Sequence, residues 1–82
     1  MIHVKFMNLI RSKYHLSEMT IEAPTLGDLM QAILSKNPTM NPDDLYHAVI
    51  FVNQKQVMHL NRINHMLNDG DQVIFTHFVG GG

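Results

Sequence analysis

The sequence predicts an α+β fold, a mixed sheet of about four to five strands wrapped on one main helix. Three observations carry that prediction. Ile2, Val4 and Phe6 alternate with His3, Lys5 and Met7, the period-two spacing of a strand with one face on a core. Leu26, Leu29, Met30, Ile33 and Leu34 fall three and four residues apart, as on one face of an amphipathic helix. The turn signal Asn68-Asp69-Gly70-Asp71 introduces a last apolar strand, Gln72 to Phe78, with Val73 and Phe75 on one face. With 82 residues, 45% of them hydrophobic, the chain has material for one core and not for two.

The first strand is followed by the polar, turn-tolerant stretch Asn8 to Ser12. A second β-rich stretch, Tyr14 to Glu22, has Leu16, Met19 and Ile21 as apolar points, so an antiparallel hairpin is expected. Ala23-Pro24 breaks the strand, Thr25 offers its hydroxyl as an N-cap, and Asp28 favours the positive end of a helix beginning at Leu26. Asn37-Pro38 ends that helix. Asn41-Pro42-Asp43-Asp44 combines a cap, a proline at the first helical position and acids in the first turn, which predicts a short helix or turn ending near Tyr46. Ala48 to Val52 is continuously apolar and reads as a central strand ending in the turn Asn53-Gln54-Lys55, with a short strand over Gln56 to Leu60. This order matches a β-grasp fold in which the first and last strands pair in parallel at the centre of the sheet. Val4, Phe6, Leu29, Ile33, Val73 and Phe75 are the expected core, in a domain of residues 1–79 followed by a flexible glycine tail, 80–82.

Composition excludes several function classes. There is no cysteine, so disulfides, zinc–thiolate sites and a thiol nucleophile are ruled out. Six Lys and Arg against seven Asp and Glu give a formal charge of −1, without the basic run that a row of phosphates demands, and no nucleic-acid partner is expected. No apolar run approaches the length of a membrane span and the N-terminus lacks the pattern of a secretory signal, so no membrane partner and a cytoplasmic location are expected.

The chemistry of interest lies in Gly80-Gly81-Gly82. Three glycines have no side chain to bury and much conformational entropy to lose on ordering, so packing gives no reason for them. The five residues from Phe78 to Gly82 span at most about 17 Å when extended, enough to carry a terminal carboxylate into another protein's active site. A frayed end explains an isolated glycine run equally well.

The segment before the tail, NDGDQVIFTHFVGGG from Asn68 onward, resembles the C-terminal signature of the MoaD and ThiS sulfur-carrier proteins, ubiquitin-like domains of the β-grasp type that end in Gly-Gly. The stretch Thr20-Ile21-Glu22-Ala23-Pro24-Thr25 before a leucine-rich helix, and Val52-Asn53 at the end of the middle strand, are similar to MoaD. HFVGGG, from His77 to Gly82, is closer to ThiS, and the Pro-Pro-Val exit usual in MoaD is replaced by Thr76 to Gly80. The resemblance implies that a ubiquitin-activating-type adenylyltransferase uses ATP to adenylate Gly82, which is then converted to a thiocarboxylate. The sulfur passes to an accepting synthase subunit in molybdopterin or thiamine biosynthesis. The carrier would be a cosubstrate, with no catalytic residue and no bound cofactor of its own.

Other residues invite weaker readings. Six histidines show no pair at the i, i+4 spacing of two ligands on one helix face, and no metal site is expected. Asp69 and Asp71, flanking Gly70, are turn formers. On strict alternation Ile74 and Phe78 lie opposite Val73 and Phe75, on the sheet face that a single helix leaves uncovered. They mark a partner-binding surface, with Val79 beside Phe78 at the tail exit. For Ile74, local twist or cover from the Met58 to Met66 loop explains the pattern as well. Two other functions remain open: a ubiquitin-like modifier that acylates lysines through Gly82, and a β-grasp interaction domain with an idle tail.

Overall fold

The chain runs β1 (Ile2–Phe6), α1 (Asn8–Tyr14), β2 (Glu18–Ile21), α2 (Leu26–Lys36), α3 (Pro42–Tyr46), β3 (Val49–Val52), β4 (Lys55–Val57), a 3₁₀ turn (Arg62–Asn64) and β5 (Gln72–Thr76). These elements are seen in a computed structural model that describes residues 1–58 and 60–77. The strands form one mixed sheet in the order β2-β1-β5-β3-β4. β1 and β5 pair in parallel at its centre, and the other pairings are antiparallel. This is the ubiquitin-like β-grasp arrangement.

Register decides which side chains meet. Val4 pairs with Val73 and Phe6 with Phe75, and on the far side of β5 the partners of Val73 and Phe75 are Val52 and Ile50. All six therefore point to one face, and all six are buried there. The Phe6 and Phe75 rings stack with centroids 5.7 Å apart. Over this face lies α2, started by Thr25, whose Oγ1 accepts the Asp28 N–H at 3.1 Å. It buries Leu26, Leu29, Met30 and Ile33, each contributing about 1.5–3 kcal/mol when fully removed from water. α3 begins as its sequence predicts, with Asn41 Oδ1 accepting the Asp43 N–H at 3.0 Å and Pro42 in the first turn.

The first two strands pair antiparallel as expected, but not as a simple hairpin. Between β1 and β2 the chain forms α1 where turn and strand were expected, and β2 is shortened to Glu18–Ile21. α1 has no side-chain N-cap and no acid in its first turn. Burial of Ile10 and packing of Tyr14 against the core hold it in place, so tertiary contact supplies what local sequence lacks. β4 also begins earlier than expected and stops at Val57, leaving Leu60 exposed. Asn53 and Gln54 both have positive φ, 50° and 71°. Two such residues make the whole turn in a type I′ hairpin, so Lys55 already belongs to the strand. β5 is described as Gln72–Thr76, its last described pairing being Thr76 with Val49; the expected end of the strand, Phe78, lies outside the described residues.

Two further features fix the connection from β4 to β5. Arg62, 4% exposed, donates from Nη1 to the Ala48 carbonyl at 2.9 Å and from Nη2 to the Tyr46 carbonyl. Burial lowers its pKa. Beside it, a Cβ added to Gly27 would meet the Ile63 carbonyl oxygen at 2.7 Å, so only glycine lets the 3₁₀ turn lie this close to α2. At the next turn Gly70 has φ 89°, which glycine adopts without a Cβ penalty. Asp71 binds this turn to the β3–β4 turn by accepting from the Asn68 N–H at 2.8 Å and from Asn53 Nδ2 at 2.9 Å. Those two donors, the backbone one first, hold the Asp71 carboxyl below its ordinary range, in keeping with a turn-forming role.

Candidate functional site: the open sheet face and the root of the tail

The face of the sheet opposite the core is divided by register into two halves. Toward β2 it carries His3 opposite Thr20 and Lys5 opposite Glu18. Toward β3 it carries Ile74 opposite Phe51 and Thr76 opposite Val49. A shallow groove of about 310 Å³, lined by His3, Lys5, Glu18, Gln72 and Ile74, runs along the polar half into the apolar one. Ile74 is half-buried, flanked in the sheet by Lys5 of β1 and Phe51 of β3. It is therefore on the open face, as alternation requires. The loop from Met58 to Met66 instead presents Met58, Leu60, Ile63 and Met66 as exposed side chains.

The other sequence-predicted site residues, Phe78, Val79, Gly80, Gly81 and Gly82, lie outside the described residues. What is described is the point from which they start. β5 occupies the centre of the sheet and ends at Thr76 beside α1 and α3. Asn8, with φ 58°, donates from Nδ2 to Thr76 Oγ1 and approaches the His77 carbonyl at 3.5 Å. His77 Nε2 lies 2.7 Å from the Asp44 carbonyl. The Asp44 carboxylate accepts from Lys13 Nζ at 2.8 Å and from the Tyr14 hydroxyl. Lys13 first and Tyr14 second hold the Asp44 carboxyl below its ordinary range, and the same contact raises Lys13.

Sequence reasoning missed Asn8, Asp44 and His77 as a group. Asn8 and Thr76 are 68 positions apart, and His77 and Asp44 are 33 apart, so only the fold brings them together. Among the described residues, no three His, Asp or Glu side chains are grouped closely enough to hold a metal ion. No helix among them is long and apolar enough to cross a membrane.

Comparison with known proteins gives the following. The model of the ThiS family matches residues 4–82. A comparison with curated protein sequences gives no match. Several solved structures share the fold. A chain of the complex of subunits 1 and 2 of molybdopterin-converting factor from Helicobacter pylori superposes with a TM-score of 0.66 at 23% identity, covering 99% of this chain and 97% of that one. The small archaeal modifier protein 1 from Methanosarcina acetivorans gives a TM-score of 0.82 at 18% identity, covering 99% and 95%. A chain of the BexX/CysO complex from Amycolatopsis orientalis gives 0.73 at 17% identity, covering both chains fully at 100%. At these identities the likenesses establish a shared fold.

Proposed function

The chain belongs to the ThiS family, and from that premise we propose that it is a sulfur carrier whose reacting group is the carboxylate of Gly82. An ATP-dependent, ubiquitin-activating-type adenylyltransferase is its activating partner. A carboxylate resists attack by sulfur because its charge is delocalised and oxide is a poor leaving group. One Gly82 oxygen therefore attacks the α-phosphorus of ATP, pyrophosphate departs, and the acyl carbon becomes a mixed anhydride. Sulfide, free or released from a partner's persulfide by a second thiol that is left in a disulfide, adds to that carbon. The tetrahedral adduct expels AMP and leaves a thiocarboxylate. The sulfur then passes to a synthase subunit in molybdopterin or thiamine formation. The carrier is the substrate throughout, and every catalytic group belongs to its partners.

The observation that carries this reading is the family match running through residue 82, which includes the triple glycine. The fold supports it: β5 leads toward the tail from the centre of the sheet, beside an open face on which Ile74 and Phe51 offer apolar contact. We place the activating partner on that face, around Ile74 and Phe78, with Val79 at the mouth of its channel.

Intact-mass analysis tests the reading. With the adenylyltransferase from the same organism, ATP and a sulfide source, the chain should gain the difference between one sulfur and one oxygen, mapped to the C-terminal peptide. Deleting Gly82, or appending a residue after it, should abolish the gain while the domain stays folded. If truncated and intact chains sustain the same pathway activity, the tail is idle and the interaction-domain reading takes over. The likeness to an archaeal modifier protein favours a second reading, in which the same activated Gly82 acylates lysines. Lysine conjugates in place of thiocarboxylate would select it.

A further inference from the structure

At His77 the β-ladder no longer sets the course of the chain, since the last pairing of β5 among the described residues is that of Thr76 with Val49. This residue is nevertheless held from two sides. On one side the Asn8 carboxamide donates to Thr76 Oγ1 and reaches the His77 carbonyl. On the other, His77 Nε2 meets the Asp44 carbonyl at 2.7 Å; a carbonyl only accepts, so this nitrogen carries the proton. Asp44 is itself fixed. Its carboxylate accepts from Lys13 and Tyr14, and the Tyr14 hydroxyl accepts the Asn41 N–H at 3.1 Å. Asn8, Lys13 and Tyr14 all belong to α1, so the two anchors converge on one braced unit of α1 and α3.

These contacts do little for the core, because Asn8 is exposed and His77 only half-buried. Their consequence is directional. Five residues follow His77, spanning at most about 17 Å when a partner holds them extended, and a change of roughly 30° in direction at the root would then sweep their end through roughly 9 Å. Reaction at the terminal carboxylate requires the reacting atoms within about 3–3.5 Å of each other.

We infer that Asn8 and His77 clamp the root of the tail and set where the Gly82 carboxylate is presented to the adenylating enzyme, an inference that rests on the carrier reading. They are positioning residues. A chain without the clamp docks through its unchanged sheet face but reaches the reactive arrangement in a smaller fraction of complexes. The turnover of the docked complex falls while its affinity holds.

The test uses the full chain and the adenylyltransferase from the same organism. It compares ATP–pyrophosphate exchange, the dissociation constant by calorimetry, and thermal stability for the unaltered chain, Asn8→Ala, His77→Ala and His77→Gln. His77→Ala and Asn8→Ala should each lower kcat by roughly tenfold, with Kd and Tm close to those of the unaltered chain. His77→Gln, which keeps an Nε2–H donor at similar reach, should restore most of the rate. Full kcat in both alanine variants overturns the clamp and leaves the carrier reading standing. Rate losses that track losses of Tm or Kd, or that glutamine does not relieve, overturn it as well. No exchange with the unaltered chain overturns the carrier reading and this inference together.

Discussion

Replacing Gly27 by alanine should destabilise the protein, although the same change in most helices stabilises it. In a helix interior Gly→Ala gains about 1 kcal/mol, but Gly27 is the second residue of α2, in a first turn whose N–H groups lack helical partners, so the gain there is smaller. Against it stands a Cβ placed 2.7 Å from the Ile63 carbonyl oxygen and 3.2 Å from the Ile63 Cβ. The nearer atom is backbone, and cannot swing away as a side-chain tip would. Its neighbour Arg62 is pinned to the Ala48 and Tyr46 carbonyls, so the turn yields only by straining a buried contact. Overpacking of this kind costs about 1–3 kcal/mol, against a total of about 4–12 kcal/mol for a domain of this size. Each kcal/mol lost should lower Tm by about 4–8 °C. The assay is urea denaturation with parallel thermal melts, for Gly27→Ala alone and combined with Arg62→Ala. Releasing the turn should make the double variant more stable than the sum of the two single effects implies. A Gly27→Ala protein as stable as the parent, or more so, would refute the close packing of the turn on α2.

Phe75→Ala should cost about 3–5 kcal/mol in the same denaturation experiment, because the ring is fully buried and stacks on Phe6; a loss under about 1 kcal/mol would be inconsistent with that burial. Acid should weaken the fold through Asp44 and Asp71, whose carboxyls are held below the ordinary range. A depressed carboxyl contributes stability above its unfolded-state pKa and loses it as pH falls through the folded-state value. Melts from pH 7 downward should therefore show Tm dropping below the ordinary carboxylate range, with a shallower drop in Asp71→Asn. An equally steep drop in that variant would remove Asp71 from the account.

Local signals in the sequence suffice for β1, α2, α3 and the start of β5. Ile2, Val4 and Phe6 alternate, Thr25 caps a stripe of core residues, and Asn41-Pro42 starts a helix. The glycine run of the tail is visible without any fold, but its proposed chemistry rests on the family likeness, and those residues lie outside the described ones. α1 was not legible: its helix depends on Ile10 reaching the core and Tyr14 reaching Asp44 of α3, contacts that no local pattern specifies. The side of the sheet on which Ile74 lies followed from alternation alone. The neighbours that half-cover it, Lys5 and Phe51, came from the pairing register, which no local pattern specifies. The root of the tail belongs entirely to tertiary structure. Asn8, Asp44 and His77 are ordinary polar residues in sequence, and they acquire a common task only where β5 leaves the sheet between α1 and α3, because hydrogen bonds form between groups that folding brings within reach.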